Sequence, residues 1–130
     1  MKKITMFLLL IFLMKLLQAQ LPFNRYPVYK GNDLGVAYTK TSSQFRIWSP
    51  PAQSAQLILY KEGEGGQPFK TINLKKGQSG TWFTSVEGDQ KGMFYTFRIR
   101  FNNKWNNEVP DPYAKAAGVN GKRAMVINLK

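Results

Sequence analysis

The residues that could do chemistry are few, and two kinds are missing altogether. The 130-residue chain has no His and no Cys. It therefore lacks the commonest general base and metal ligand, and it has no thiol for nucleophilic attack, metal binding or disulfides. A Ser-His-Asp arrangement is impossible. Seven carboxylates are present: Asp33, Glu62, Glu64, Glu87, Asp89, Glu108 and Asp111. All seven read as turn or loop residues, where acidic side chains suit the backbone geometry. A glycosidase pair must instead converge on a shared cleft, and no spacing here suggests one. Gly63-Glu64-Gly65-Gly66 joins two strand-like segments with no helix after it, so it reads as a turn and not as a phosphate loop. No calcium-loop spacing is present. The expected catalytic set, metal set and cofactor set are each none.

The residue that stands out is Trp105, within Asn102-Asn103-Lys104-Trp105-Asn106-Asn107. Sugar rings offer C–H faces that stack on an indole, while amide and ammonium groups bond the hydroxyls. Trp105 with Lys104, Asn103 and Asn106 is thus the candidate carbohydrate contact. The alternative is that the indole folds back as a lid on the end of the domain or packs on a neighbouring one. Trp48 and Trp82 lie within strand-like segments and read as core or interdomain residues.

These side chains need a scaffold, and the chain length fits one domain. Hydrophobic residues are 43% and charged residues 20%, as in globular proteins. Residues 44–48, 56–61, 69–74, 81–86 and 93–101 read as strands separated by Gly- or Pro-bearing turns. In the longest, Met93, Tyr95, Phe97, Ile99 and Phe101 share one face, and Thr96, Arg98 and Arg100 the other. Residues 124–129 read as a closing β segment with Met125, Ile127 and Leu129 in phase. Residues 36–39 add a short edge strand, 75–80 a turn, and 114–120 one helical turn or a loop. Strands at about ten-residue spacing indicate an all-β antiparallel sandwich or barrel.

The first nineteen residues stand apart. Lys2 and Lys3 precede an unbroken apolar run from Met6 to Met14, and Ala19 offers a small residue for cleavage. This is the pattern of a secretory signal peptide. Lys15 interrupts the run well short of the roughly 20 apolar residues that span a bilayer, so no stable membrane anchor is expected. The organisation expected is a signal peptide at 1–19, an irregular N-terminal arm at 20–35 and a β-sandwich at 36–130, exported to the periplasm or the extracellular space. Without the leader, sixteen Lys and Arg face seven acids, a balance of +9. The cations are scattered and form no run, which reads as solvated surface and not as a nucleic-acid interface.

Four motifs carry a resemblance. Phe45-Arg-Ile-Trp-Ser-Pro-Pro-Ala52 resembles the opening of the sandwich that precedes the barrel in family 13 glycoside hydrolases. Gly92-Met-Phe-Tyr-Thr-Phe97 is similar to that module's penultimate strand. Tyr29-Lys-Gly-Asn-Asp-Leu-Gly35, and Asp111-Pro-Tyr-Ala-Lys115 with Gly118-Val-Asn-Gly-Lys-Arg123, are similar to type I pullulanase motifs. The resemblance implies an immunoglobulin-like sandwich, the family 48 carbohydrate-binding module, as the N-terminal part of an α-glucan debranching enzyme. The catalytic barrel would begin where this chain ends, at Lys130. Glucan-binding members use two Trp and a Lys. Trp105 falls at one Trp position, Thr96 stands at the Lys position, and residues 62–67 offer no second Trp. Two readings stay open here: a module binding α-glucan of the starch, glycogen or pullulan type, or a docking domain for the barrel with no sugar binding of its own.

Overall fold

The computed structural model describes residues 2–18 and 25–130. Residues Lys2–Gln18 form the helix α1, with an unbroken apolar run from Met6 to Met14. Among the described residues, no helix is long and apolar enough to cross a membrane. The expected cut after Ala19 and the first residues of the arm lie outside the described residues.

Among the described residues nine strands follow: β1 (Gly35–Tyr38), β2 (Ser42–Trp48), β3 (Ser54–Tyr60), β4 (Lys70–Asn73), β5 (Lys75–Lys76), β6 (Thr81–Glu87), β7 (Phe94–Phe101), β8 (Lys104–Trp105) and β9 (Ala124–Met125). They form two antiparallel sheets. One has the order β1-β2-β6-β5, the other β4-β3-β7-β8, with β9 also on β7. The fold is an all-β sandwich, as the strand spacing implied.

Period-two alternation explains the core. Phe45 and Ile47 of β2, Leu57 and Leu59 of β3, Trp82 and Val86 of β6, and Tyr95 and Phe97 of β7 all point between the sheets. Phe45 meets Tyr95 edge-on at 5.0 Å, and Tyr95 meets Phe97 at 5.7 Å. Such pairs add to the area buried by each ring. Trp82 is a core residue whose indole N–H donates to the Ser49 carbonyl at 3.0 Å. Trp48, on the outer side of β2, donates its indole N–H to the carbonyls of Pro27 and Ser79. It thereby fastens the N-terminal arm to the sandwich.

Two motifs meet at Gly35. Its φ is +97°, and a Cβ there would lie 3.2 Å from Tyr113 Cβ and 3.4 Å from Asp111 Oδ2. Only glycine combines that backbone angle with so close an approach. Asp111 is buried and takes hydrogen bonds from the Tyr95 hydroxyl at 2.7 Å and the Tyr113 N–H at 2.8 Å. On the outer side of β2, Arg46 lies 4.7 Å over the Phe83 ring and 5.9 Å from that of Tyr29. Its Nε donates to Asp33 at 3.0 Å, and Tyr29 also bonds Asp33. The arm motif is therefore a clamp closed on Arg46.

Several expectations need correction. The closing β segment is two residues long, and its buried side chains are Ala124 and the following Val126. Leu129 is 65% exposed. Tail positions bury in the phase opposite to Met125, Ile127 and Leu129, because β9 joins the free edge of β7 at Phe94 and Tyr95. Lys75 and Lys76 form a short strand on β6. The helical turn expected within 114–120 is a 3₁₀ turn at Val119–Gly121. Not every carboxylate sits in a turn: Glu87 ends β6. Asp111 does begin a turn, its carbonyl accepting from the Ala114 N–H at 3.1 Å, but its side chain is buried against the core.

Candidate functional site

The site is built on the outer face of the β4-β3-β7-β8 sheet. Because Tyr95 and Phe97 turn inward, Thr96, Arg98 and Arg100 must turn outward. Phe101 and Lys104 pair across Asn102 and Asn103, whose φ values are 49° and 60°. Two successive positive φ angles match the type I′ turn, which suits the twist of a tight hairpin. The hairpin pairs Trp105 with Arg100 and so sets the indole on the outer face. Sequence reasoning placed Trp105 in a loop. Two residues are too short a strand to show alternation, so its facing could not be read.

Trp105 is 40% exposed, and the Arg98 guanidinium lies 5.0 Å over its ring. Arg98 Nε donates to Gln56 Oε1 at 2.7 Å, and Gln56 Nε2 donates to Asn73 Oδ1 at 2.8 Å. Register aligns Asn73, Gln56 and Arg98 across three strands. One row along β7, the Thr96 hydroxyl donates to Glu108 at 2.6 Å, and the Tyr60 hydroxyl donates to the same oxygen. The Arg123 guanidinium lies over the Tyr60 ring, 3.4 Å from its centroid, and donates to the carbonyls of Glu62 and Gly65. Lys122 pairs with Glu64. Tyr60, Thr96, Glu108, Glu64, Lys122 and Arg123 line a polar pocket of about 410 Å³.

Burial, and next the Glu108 hydrogen bond, pushes the Tyr60 hydroxyl up to about 12, so it stays a neutral donor. The Lys122 hydrogen bond holds the Glu64 carboxyl below its usual value. Cations and carboxylates are both present, with hydroxyls between them. Such a surface suits a neutral ligand rich in hydroxyl groups.

The other three expected contacts lie elsewhere. Asn103 sits at the hairpin tip, its N–H donating to Gln53 at 2.8 Å. Lys104 pairs with Phe101, opposite in phase to Trp105. Asn106 donates its N–H to the Ile99 carbonyl and lines a separate apolar cleft. Sequence reasoning did not mark Arg98, Gln56, Asn73, Tyr60, Glu108 or Arg123. The only signals were the outward phase of Arg98 and Arg123's place in the Gly118–Arg123 motif.

That apolar cleft, of about 290 Å³, opens between β2 and β7 and is lined by Trp48, Phe97, Ile99, Val109, Pro112 and Tyr113 among others. Val109 and Tyr113 are half exposed at its rim.

Comparison with known proteins agrees with this architecture. Residues 33–114 match the family described as carbohydrate-binding module 48 (isoamylase N-terminal domain). The chain is 36% identical over 99 residues to the pullulanase of Bacillus subtilis strain 168, covering 76% of this chain and 13% of the relative. The 1,4-alpha-glucan branching enzyme GlgB of Cutibacterium acnes is 34% identical over 76 residues, covering 58% of this chain and 11% of the relative. The fold is similar to that of Paenibacillus barengoltzii pullulanase in complex with maltohexaose and alpha-cyclodextrin. The TM-score there is 0.77 at 40% identity, with 82% of this chain and 16% of that one covered. The chain thus spans about an eighth of the length of the curated relatives it matches. With residues 33–114 of the 130-residue chain inside the family match and the same fold in pullulanases, the chain belongs to the carbohydrate-binding module 48 family.

Proposed function

We propose that this sandwich is the α-glucan-binding module of an exported, pullulanase-like debranching enzyme. The observation that carries this reading is Trp105, raised half-exposed on the outer face of the sheet with Arg98 over its ring. The pullulanases with the same fold include complexes with maltotriose, maltotetraose and maltohexaose, which supports an α-glucan as ligand. One stacked ring contributes on the order of 1–2 kcal/mol, which alone gives binding weaker than millimolar. Affinity therefore grows with chain length, as further contacts add. In an amylopectin-containing native gel the protein should be retarded, and Trp105→Ala should remove the retardation without changing the circular dichroism spectrum. A wild-type protein that runs unretarded overturns the reading.

The apolar cleft at Trp48 and Tyr113 supports a second contact of the same module, with a catalytic barrel of the kind the family implies. The hydrolysis of α-1,6 linkages belongs to that barrel. The immunoglobulin-like character of the sandwich fits this placement. Lys2 and Lys3 at the start of helix α1, ahead of its apolar run, support a secretory leader. N-terminal sequencing of protein recovered outside the cytoplasm should begin near Gln20.

A further inference from the structure

Trp105 is held by more than its own hairpin. An indole on a two-residue edge strand has few neighbours to fix its rotamer. Here Arg98 lies over the ring, and its Nε is fixed by Gln56, which is in turn fixed by Asn73. All three bracing residues lie in register on β7, β3 and β4, so the chain of contacts crosses the sheet at right angles to its strands. A guanidinium can do this because it is planar: it donates in its own plane while presenting a face to the ring. Lysine has no such second surface.

We propose that Arg98 is a positioning residue for glucan binding. Braced by Gln56 and Asn73, it covers one face of the Trp105 indole and presents the other, already ordered, to the sugar. This rests on the α-glucan reading above. Binding then orders no loose tryptophan, and the ring offers a single stacking face, enough for one glucan chain. Freeing one such side chain should weaken binding roughly two- to tenfold, the usual effect of immobilising a rotamer-rich side chain at an interface.

The test uses the protein labelled with 5-fluorotryptophan, whose three tryptophans give three fluorine resonances; Trp105→Phe identifies the relevant one. Arg98→Ala should move that resonance toward the value of a free, solvated indole and leave those of Trp48 and Trp82 in place. The dissociation constant for maltoheptaose should rise two- to tenfold. Gln56→Met, which keeps Arg98 and cuts its brace, should act in the same direction with a smaller change. Arg98→Lys should not restore either property. An unmoved Trp105 resonance in both Arg98→Ala and Gln56→Met overturns the brace, even if affinity falls, because Arg98 would then be touching the sugar itself. A moved resonance with unchanged affinity overturns the positioning role. If Arg98→Ala does not fold, Gln56→Met and Arg98→Lys decide by the same criteria. If the wild type binds neither maltoheptaose nor amylopectin, the glucan reading falls, and the fluorine shift alone upholds or overturns the brace.

Discussion

Tyr95→Phe isolates one hydroxyl at the centre of the molecule. The ring is fully buried, and its edge-on contacts with Phe45 and Phe97 survive the change. What is lost is the 2.7 Å hydrogen bond to Asp111, leaving that buried carboxylate with the Tyr113 N–H. Hydrogen bonds to charged groups contribute roughly 1.5–3 kcal/mol, so a loss of about 2 kcal/mol is expected at pH 7. For a domain of about 100 residues this lowers Tm by about 10 °C. The pH dependence adds a second constraint. Burial raises the Asp111 carboxyl above its ordinary value of 3.8, against the lowering effect of its two donors. A group whose folded value is raised contributes its full stability below the unfolded value and loses it as pH rises through the folded one. Without the tyrosine donor the ionised form is still less favourable, so the mutational loss should be larger at pH 7 than at pH 4. Asp111→Asn keeps polar pairing possible and removes the charge. It should stay within about 1 kcal/mol of wild type at pH 7 and abolish this component of the pH profile. Urea titrations of the three proteins at both pH values make the comparison. If Tyr95→Phe unfolds within 0.5 kcal/mol of wild type, roughly the spread of neutral surface changes, the hydrogen bond is not holding the Asp111 turn to the core.

Gly35→Ala should lower stability by at least about 1 kcal/mol, since the new methyl meets Tyr113 and the φ of +97° disfavours any side chain; a denaturation midpoint equal to wild type would contradict this. Arg46→Ala should expose the arm at residues 25–34 to limited proteolysis while the sandwich stays intact. Acid should loosen the same clamp. The Tyr29 hydrogen bond, then the Arg46 charge, depress the Asp33 carboxyl below 3.8, so its contribution is present above that value and is lost as pH falls beneath it. Ultraviolet titration should show Tyr60 ionising only near pH 12, and Glu108→Gln should bring that transition down; a Tyr60 that titrates near 10 would mean the polar pocket is open to water.

The sandwich was legible wherever strands were long enough for alternation to repeat. Phe45 with Ile47, Leu57 with Leu59, and Tyr95 with Phe97 form the core that the pattern implies. The tail failed because a two-residue strand carries no period, and its facing was set by the edge it joins. Asp111 is the turn residue it was read as, but its burial was not legible, because a buried and an exposed turn acid look alike in sequence; the Tyr95 hydroxyl sixteen residues away distinguishes them. Trp105 was marked by its residue type, but its companions were chosen as sequence neighbours. In a strand an adjacent residue such as Lys104 faces the other way, and the side chain lying over the indole, Arg98, comes from β7 with Gln56 of β3 bonded to it.

The hairpin at Asn102 and Asn103 makes the tryptophan's exposure a matter of parity. Phe101 pairs with Lys104 and Arg100 with Trp105, so the count of residues between β7 and the indole decides which side of the sheet it occupies. A point substitution at the tip leaves that count alone. Inserting or deleting one residue with the two-residue turn kept would shift the register by one and turn the indole from the outer face toward the side that Lys104 and Asn106 now occupy, whereas a shift of two would return it. Among descendants of this sequence, spacings between the two-residue turn and the tryptophan that differ by one should therefore accompany loss of the tryptophan or its transfer to the adjacent position. Those that differ by two should keep it in place. Heritable variation in this loop is thus tolerated in even steps, a constraint that comes from the pleat and holds whatever the ligand.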